Sequence, residues 1–378
     1  MMLQVAQAIN PDSLLEKNDF LSRFWKDVFL KAEEKNASDI HAESLVNQGF
    51  CVRFRVDGIL QTIYPTDSSK KIFEATDFID KLKQIANLSL LEKKRMLDSR
   101  FSLSLTESSY RACLTPGLEG QNIVLRVIRQ ANTPSLSDLN LPEETLKDIR
   151  SSALKAKGLF LITGPTGSGK STTLSSIIND CVDAKTEKVI SIEDPVERTL
   201  DYVQHEPVSK DFPFNDAIRS ALRQDPDVIL VGEIRDEESC GLALKAASTG
   251  HLVFSTLHTN SAIGTISRLL MLAEPYQFAE SVLFIGAQRL FPKLCTHCRL
   301  KKDDLYYREK KGCEHCSFGI KGRQAVLEYL CDLDPEDIYL FQKNSKALEE
   351  KVKNKILDQI FALSEQGILC SSLRENYV

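Results

Sequence analysis

The sequence is poor in the features that mark membrane-spanning, exported or nucleic-acid-binding proteins. Its longest apolar runs are only as long as a strand, as at 228–231, so we expect no membrane-spanning segment. Positions 1–20 lack a basic stretch followed by an apolar core, so we expect no secretory signal. Positive charge is not in excess, because 48 Lys and Arg face 53 Asp and Glu. Proteins that bind nucleic acid are usually basic, so we expect no direct nucleic-acid contact.

Internal repeats and low-complexity tracts are also missing from the sequence, whereas material for buried cores is plentiful. Of the 378 residues, 42% are hydrophobic, which is enough for two or three domains. Ten cysteines are present. In a chain without an export signal, clustered cysteines bind metal more often than they form disulfides. The composition therefore predicts a cytoplasmic protein.

The first part of the chain, residues 1–129, predicts a small α+β domain. Apolar residues recur at helical spacing over 12–35, and the segment 82–91 also predicts a helix. Alternation of apolar and polar residues, clearest at 50–56, predicts strands. The Pro-, Ser- and Asn-bearing stretch 130–142 predicts a linker.

The rest of the chain, residues 143–378, alternates helical patterns with short apolar strands. Strands are predicted at 159–163, 189–193, 228–231 and 252–256. This alternation is typical of a parallel sheet with helices on both faces, and so predicts an α/β fold. The final stretch predicts C-terminal helices, with the charged run 346–355 as a solvated helix face.

A phosphate-binding loop lies between the first of these strands and a helix. It fits the pattern G-x-x-x-x-G-K-[ST] and consists of Gly164, Pro165, Thr166, Gly167, Ser168, Gly169, Lys170 and Ser171, after which Thr172 opens the helix. Backbone N–H groups of such a loop surround a triphosphate, and the helix N-terminus adds its positive dipole end. Lys170 is expected to reach the outer phosphates, and the Ser171 hydroxyl to bind Mg²⁺. The sequence thus predicts an ATP site.

Acidic residues follow two of the predicted strands. Glu233 comes just after the strand 228–231 and is our candidate for the base that positions water and for a ligand of hydrated Mg²⁺. Glu193 and Glu197 form a second acidic cluster at a strand end, and His258 follows the strand 252–256. A single strand-end acid often only caps a helix, and a single such histidine is often a satisfied loop residue.

The order of these motifs resembles that of the secretion ATPases of type II secretion systems and type IV pilus assembly. The motifs are the phosphate loop, IEDPVE at 192–197, RQDPDVILVGEIRD at 223–236 and TGHLVFSTLHTN at 249–260. The first domain contributes ASDIH at 37–41, VRFRVDG at 52–58, SRF at 99–101 and VLR at 124–126. The resemblance covers about 20–330 and implies a RecA-like P-loop ATPase domain after a PAS-like α+β domain.

The resemblance also implies roles for individual residues. Lys170 and Ser171 would bind phosphate and magnesium, Glu193 and Glu197 would belong to the acidic box, and Glu233 would be catalytic. His258 would sense the γ-phosphate. Three first-domain arginines would point at the nucleotide and stabilise the transferring phosphoryl group: Arg100, Arg111 and Arg126. Each arginine, taken singly, is equally well explained by an ordinary ion pair on a strand face.

Two C-x-x-C pairs predict a structural zinc site within the second domain, at about 295–316. The ligands would be Cys295, Cys298, Cys313 and Cys316. Inert thiols and a disulfide are the alternatives, and His297 and His315 could substitute as ligands. In the family that the chain resembles, assembly and secretion ATPases commonly carry such a tetracysteine motif, whereas retraction ATPases lack it.

The resemblance implies a homo-hexamer at the cytoplasmic face of the inner membrane, bound to a membrane platform protein that adds pilin or pseudopilin subunits. Without an amphipathic basic helix, membrane contact is expected to be peripheral, through partners. Larger relatives carry an extra N-terminal domain, so we expect a different or reduced partner interface, as in compact members that serve DNA uptake. The alternatives are a pilus retraction ATPase, a nucleic-acid-dependent RecA-like motor and a regulatory nucleotide-binding module.

Overall fold

A computed structural model of the chain describes residues 10–45, 49–64, 74–106, 108–129, 133–194, 196–209 and 211–376. The chain divides into two compact units, Met1–Ala131 and Asn132–Val378. Part of the predicted linker, residues 130–132, lies outside the described residues, and Leu136–Leu139 of the same stretch form a 3₁₀ helix.

The first unit is an antiparallel sheet with helices on one face. Its elements are α1 (Pro11–Leu15), α2 (Phe20–Glu34), β1 (Asp39–Leu45), β2 (Gly49–Val56), β3 (Ile59–Tyr64), α3 (Ala75–Ile85), β4 (Leu97–Leu103), β5 (Ser108–Gly117) and β6 (Gly120–Arg129). The strand order is β3-β2-β1-β6-β5-β4, and every pair is antiparallel. Alternate residues of β1 are buried, as expected for a sheet with one covered face.

An aromatic core holds the helices of the first unit on the sheet. Trp25 and Phe29 of α2 are fully buried together with Phe54 of β2 and Tyr110 of β5. The indole Nε1 of Trp25 donates a hydrogen bond to the carbonyl oxygen of Phe78 in α3 at 3.0 Å. This bond fixes the two helices against each other, because a buried indole N–H without an acceptor would be unfavourable.

Two helix predictions for the first unit are wrong in their boundaries. The predicted helix 12–35 is two helices, because the Asp19 side chain caps a new N-terminus by accepting from the Ser22 N–H at 2.8 Å. The predicted helix 82–91 is the end of α3, which stops at Ile85. The residues after α3 form a loop. The buried ammonium group of Lys83, in the last turn of α3, donates hydrogen bonds to the carbonyl oxygens of Leu90 and Glu92 in this loop.

The second unit is built on a seven-stranded sheet. Its first elements are α4 (Glu143–Ala153), β7 (Gly158–Thr163), α5 (Lys170–Cys181), β8 (Val189–Glu193), β9 (Gln204–Pro207), α6 (Phe214–Ala221), β10 (Val228–Val231), α7 (Glu237–Ser248) and β11 (Leu252–Leu257). The later elements are α8 (Ala262–Leu272), α9 (Pro275–Phe278), β12 (Val282–Leu294), β13 (Leu300–Lys302), β14 (Leu305–Tyr307), β15 (Ile320–Cys331), α10 (Pro335–Lys343), α11 (Ile356–Glu365) and α12 (Leu373–Asn376).

The strand order in this sheet is β15-β12-β7-β11-β10-β8-β9, and only β15 runs antiparallel to its neighbour. Every residue of β7, β8, β10 and β11 is buried, since helices cover both faces. Leu159 and Leu161 face the core formed with α6, α7 and α8, whereas Phe160 and Ile162 face the core formed with α4 and α5. The predicted α/β class is therefore confirmed.

The predicted helix face at 346–355 is wrong. This run lies between α10 and α11 and forms turns. The backbone of Lys353 exchanges two hydrogen bonds with Tyr329 of β15, at 2.8 and 3.0 Å, and its Nζ donates to Asp148 at 2.9 Å. These tertiary bonds override the local helical pattern because they satisfy backbone groups at the sheet edge.

Candidate functional site

The phosphate-binding loop connects the carboxyl end of β7 to the N-terminus of α5. Gly169 caps α5 with φ of +87°, a left-handed conformation that glycine adopts without strain. A Cβ on Gly164 would collide with the backbone oxygen of Gln288 on β12, so only glycine fits there. The first N–H groups of α5 have no acceptor within the helix and are free to bind an anion.

Gln288 holds the phosphate-binding loop in place through side-chain hydrogen bonds. The sequence motifs did not predict this residue. The side chain is 2% exposed. Its Nε2 donates to the carbonyl oxygen of Ser168, and its Oε1 accepts from the Thr173 hydroxyl, both at 2.7 Å. One amide therefore joins the loop to the first turn of α5.

Lys170 is buried and turned onto the loop itself. Its Nζ donates to the carbonyl oxygens of Gly164 at 2.9 Å and Pro165 at 3.2 Å. Burial lowers the pKa of Lys170, although the carboxylates of Glu233 and Glu197 act in the opposite direction. The Ser168 hydroxyl is buried without a hydrogen-bond partner among the described residues. A cationic group and an unpartnered hydroxyl beside the first N–H groups of α5 fit a phosphate chain.

The other predicted site residues of this unit lie at the same edge of the sheet. The strands β7, β11, β10 and β8 are consecutive and parallel, so their carboxyl ends meet. His258 follows β11, Glu233 follows β10, and Glu193 ends β8. Together with the Ser171 hydroxyl, the carboxylates supply oxygen ligands of the kind that Mg²⁺ prefers.

Hydroxyl side chains tie the strand ends at this edge together. The Thr163 hydroxyl donates to the Leu257 carbonyl oxygen at 2.9 Å and so joins β7 to β11. The Thr256 hydroxyl donates to the carbonyl oxygen of Gly232 at 2.7 Å and joins β11 to the segment that carries Glu233. The phosphate loop and Glu233 are thereby held by one bonded framework.

Glu233 contacts two side chains that favour its ionised form. Its Oε2 lies 3.3 Å from Nε2 of His258, and its Oε1 accepts a hydrogen bond from Nε of Arg235. Burial raises the pKa of Glu233, but Arg235 and His258 outweigh burial and the pKa lies below its ordinary value. Glu233 is therefore a carboxylate at neutral pH.

The acidic cluster is split between a buried and an exposed carboxylate. Glu193 is buried, and its Oε1 accepts from the Ser191 hydroxyl at 2.9 Å. Glu197 is exposed, and its charge acts on Lys170. Asp194 lies 3.7 Å from Arg235, which links this cluster to Glu233. Pro195 of the same motif lies outside the described residues.

The three predicted arginines lie together in the first unit, on the open face of its sheet. Arg100, Arg111 and Arg126 occupy directly opposite positions on β4, β5 and β6, and all three are exposed. The row continues to Asp39 on β1, which lies 3.4 Å from Arg126 and 3.9 Å from Arg55 of β2. Like charges placed opposite each other on neighbouring strands are destabilising, and the Asp39 carboxylate offsets this effect at the Arg126 end of the row.

The four predicted cysteine ligands converge. Sulfur atoms lie 3.8 Å apart between Cys295 and Cys313, and 3.6 Å apart both between Cys298 and Cys316 and between Cys313 and Cys316. All four lie within 4.8 Å of one another. Four sulfurs placed about 2.3 Å from one ion in a tetrahedron are separated by roughly this distance. The cluster is therefore compatible with zinc.

The histidines beside the cysteines do not join this cluster. His297 and His315 are exposed, and their ring centroids lie 4.2 Å apart. Burial would raise the pKa of the Cys295 thiol, but backbone N–H groups of His297 and Cys298 and the neighbouring thiols lower it to about 6, whereas the pKa values of Cys298 and Cys313 lie above their ordinary value. A low thiol pKa favours the thiolate that binds metal.

Three residues that contact the site were missed by the sequence analysis: Gln288, Arg235 and His205. His205 lies on β9, and its Nδ1 is 2.7 Å from the Ser191 hydroxyl that contacts Glu193. Arg235 stands inside one of the quoted motifs, where its charge next to Glu233 was an available signal. Gln288 and His205 carry no such signal, since only the sheet brings them to the site.

Comparison with known proteins identifies the family. Residues 15–375 match the profile of the family described as "Type II/IV secretion system protein". The chain is 39% identical over 354 residues to a protein transport protein HofB homolog of Haemophilus influenzae, covering 91% of this chain and 73% of the relative. It is 36% identical over 341 residues to type II secretion system protein E of Klebsiella pneumoniae, covering 84% and 67%. A type IV pilus assembly ATPase of Pseudomonas aeruginosa, PilB, is 35% identical, covering 88% and 62%.

Solved structures agree with these sequences. The Legionella pneumophila ATPase DotB is similar with a TM-score of 0.73 and 26% identity, over 96% of each chain. The pilus retraction motor PilT with bound ADP is similar with a TM-score of 0.67 and 28% identity, over 93% of this chain and 96% of that one. The predicted P-loop ATPase fold is thereby confirmed. In the part of the chain that the structure describes, no helix is long and apolar enough to cross a membrane. The chain therefore belongs to the type II/IV secretion system protein family, the family of secretion and pilus ATPases.

Proposed function

We propose that this protein is a motor that hydrolyses ATP to power the addition of pilin or pseudopilin subunits in a type II secretion, type IV pilus or DNA-uptake system. The supporting observation is that Lys170, Glu233, Glu193 and His258 gather at one edge of a parallel sheet. This edge, outside the carboxyl ends of the strands, is where open α/β sheets bind ligands. The family relationship supports the same function.

The phosphate loop binds ATP in this proposal. The loop 164–171 and Thr172 surround the phosphates, chiefly with the N–H groups at the start of α5, since Pro165 has no N–H and the Ser168 N–H bonds the Pro165 carbonyl oxygen at 3.2 Å. Lys170 turns from the loop carbonyl oxygens to the outer phosphates. The Ser171 hydroxyl and the carboxylate of Glu233 hold hydrated Mg²⁺, which neutralises phosphate charge when bound. Glu193 and Glu197 complete the acidic surroundings.

Glu233 orients the attacking water, because it is ionised and has an accepting oxygen at the sheet edge. His258 contacts Glu233 and, next to the phosphates, senses the γ-phosphate. Arg100, Arg111 and Arg126 supply positive charge to the transferring phosphoryl group as arginine fingers do.

The cysteine cluster binds zinc as a structural ion in this proposal. The sulfur separations between Cys295, Cys298, Cys313 and Cys316 support a closed four-ligand site. Such a site stabilises a small module that has little core of its own.

The working form is a homo-hexamer on the cytoplasmic side of the inner membrane, peripheral to it and bound to a platform protein of the machine. Nucleic acid has no direct part in this proposal, which agrees with the formal net charge of −5. Strong stimulation of ATP hydrolysis by DNA would contradict this point and favour a nucleic-acid motor.

Glu233→Gln tests the catalytic assignment. We expect purified protein to lose at least about 100-fold in kcat for ATP hydrolysis, while ATP affinity changes little, because the amide cannot accept a proton from water. Glu237→Gln, an exposed acid in the first turn of α7, is the matched control and retains activity. Hydrolysis by Glu233→Gln at the rate of the unaltered protein would refute the assignment.

Pilus retraction is the second candidate, favoured by the similarity to PilT. The cysteine cluster supports assembly instead, since retraction ATPases commonly lack it. The two functions predict opposite changes in the number of surface pili when the motor is inactivated.

A further inference from the structure

A histidine of the edge strand β9 is connected to the buried acid of the site through one serine. His205 lies opposite Ser191 in the parallel pairing of β9 with β8, and its side chain is 13% exposed. Glu193 follows two residues after Ser191 on the same face of β8. The three side chains therefore form a line along the end of the sheet.

The hydrogen bonds along this line all run in one direction. The backbone N–H of Leu200 donates to Nε2 of His205 at 3.0 Å. A neutral imidazole has one N–H, so with Nε2 accepting, the proton is on Nδ1. Nδ1 then donates to the Ser191 oxygen at 2.7 Å, and the Ser191 hydroxyl donates to Oε1 of Glu193 at 2.9 Å.

This chain of donors leaves the second oxygen of Glu193 available. Oε2 accepts no hydrogen bond from the described residues, whereas Oε1 is occupied by Ser191. A Cβ on Gly232 would lie 3.4 Å from Cα of Glu193, so Glu193 packs directly against the residue that precedes Glu233. The fixed carboxylate is therefore next to the catalytic segment.

Strand pairing does not account for this chain of side-chain bonds. The backbone of β9 already pairs with β8 at four positions, from Ile190↔Gln204 to Glu193↔Pro207. The buried Ser191 and the tautomer of His205 add nothing to that ladder. Ser191 and His205 instead affect the orientation and charge of the Glu193 carboxylate. Residues that are hydrogen-bonded to metal-binding carboxylates orient them in the same way.

We propose that His205 is a positioning residue for Glu193: as a neutral, Nδ1-protonated imidazole it acts through Ser191 to hold the Glu193 carboxylate ready for the hydrated Mg²⁺ of bound ATP. The inference rests on the proposed function, because it requires Glu193 to serve the magnesium of an ATP site. His205 lies outside the motifs at 192–197, 223–236 and 249–260, so these motifs do not assign it a role.

The test measures magnesium-dependent nucleotide binding without turnover. A fluorescent, non-hydrolysable ATP analogue is titrated onto the full chain at increasing Mg²⁺, and the Mg²⁺ concentration for half-maximal binding is recorded. We expect His205→Leu to raise this concentration about tenfold, because the Ser191 oxygen loses the N–H that fixes the orientation of its hydroxyl toward Glu193. His205→Gln, whose amide both donates and accepts, restores most of the binding.

Two further variants keep the test decisive if His205→Leu folds poorly. Ser191→Ala removes the middle of the chain with a minimal change in volume and should give the same shift. The double variant should give no additional shift, since both changes break one connection. His251→Leu is the matched control. His251 contacts the Ala246 carbonyl oxygen and lies just before β11, at the opposite end of this strand from His258. Nucleotide binding by this variant should require the same Mg²⁺ concentration as binding by the unaltered protein.

The outcomes separate this inference from the proposed function. If Glu193→Gln raises the Mg²⁺ requirement but His205→Leu and Ser191→Ala do not, His205 is only structural and the inference is wrong. Additive shifts in the double variant would also overturn it. If Glu193→Gln leaves the Mg²⁺ requirement unchanged, the proposed role of Glu193 itself fails. NMR of ¹⁵N-histidine-labelled protein must in addition show Nδ1 protonated and Nε2 bare at His205.

Discussion

The side chains around Glu233, the proposed base, set the pH range over which its carboxylate is ionised. Arg235 and His258 lower the pKa of Glu233 against the opposing effect of burial. Arg235 also lies 5.3 Å from the ring of Phe214, measured to the ring centroid, which limits its freedom to leave the carboxylate. A base with a lowered pKa stays ionised, and therefore active, as the medium becomes acidic.

Arg235→Ala should narrow this range from the acid side. Without the guanidinium, burial dominates and the pKa of Glu233 rises, so the carboxylate is protonated at a higher pH. We expect the acid limb of the kcat–pH profile to move to higher pH. Arg235→Lys retains a positive charge and should give a smaller displacement. An unchanged acid limb in Arg235→Ala would mean that Glu233 does not control it.

For individual residues, the sequence could predict the site where a chemically suitable side chain directly follows a strand that is itself predictable. The phosphate loop, Glu233 and His258 follow strands directly, so a parallel sheet brings them to one edge. Gln288 and His205 could not be predicted, because each reaches the site from a separate strand whose position depends on the sheet order. Whether the three arginines act on the nucleotide remains a prediction.

Among the elements, the cysteine module, residues 295–316, is joined to neighbouring segments of the second unit by hydrogen bonds. The Cys295 N–H donates to the carbonyl oxygen of Gly319 at 2.9 Å, and the Ser371 N–H donates to that of Tyr306 at 2.8 Å. The strands β13 and β14 form a two-stranded sheet of their own. A two-stranded sheet is marginally stable by itself, so the module depends on the sulfur cluster.

Cys298→Ser should therefore remove zinc and loosen the module. We expect purified protein to contain about one zinc per chain by elemental analysis and Cys298→Ser to contain close to none, with a lower melting temperature. Cys370→Ser, a half-buried cysteine outside the cluster, serves as the control and keeps the metal. Unaltered protein that carries no zinc after purification without chelators would contradict the prediction.

The positions of elements could be predicted well where burial dictates the pattern. The strands β8 and β10 have the predicted limits, because every residue of both is buried in the sheet, and in β10 the four residues are a continuous apolar run. The predicted helix limits are wrong where the contacts of a single polar side chain determine where a helix begins or ends, as with Asp19 and Lys83. The helix prediction for 346–355 is wrong because this run pairs with β15, which is distant in the sequence. The spacing of residues within the run gives no information about that pairing.

For the whole molecule, inactivation of the motor separates assembly from retraction. Lys170→Ala removes the cation that serves the phosphates and should abolish ATP binding with little change in the fold. We expect cells that carry it to lose surface pili, counted by electron microscopy, if the protein assembles pili. Lys245→Ala, an exposed lysine of α7, is the control.

The opposite result would change the function assigned to the molecule. An excess of surface pili would make this protein a retraction motor and would remove the argument from the cysteine cluster. Unchanged pili would direct attention to pseudopilus-driven secretion or DNA uptake, which share the motor but not the surface fibre.

The arginine row of the first unit has a thermodynamic consequence for the molecule as a whole. Arg100, Arg111 and Arg126 repel one another in the folded sheet, with Asp39 as the carboxylate of the row. Unfolding relieves this repulsion, and so does any anion that binds the row. By mass action, an anion present at about 100 times its Kd would stabilise the folded unit by about 2.7 kcal/mol. If the row binds the phosphates of the nucleotide, as we propose, folding of this unit and phosphate binding are linked parts of a single equilibrium.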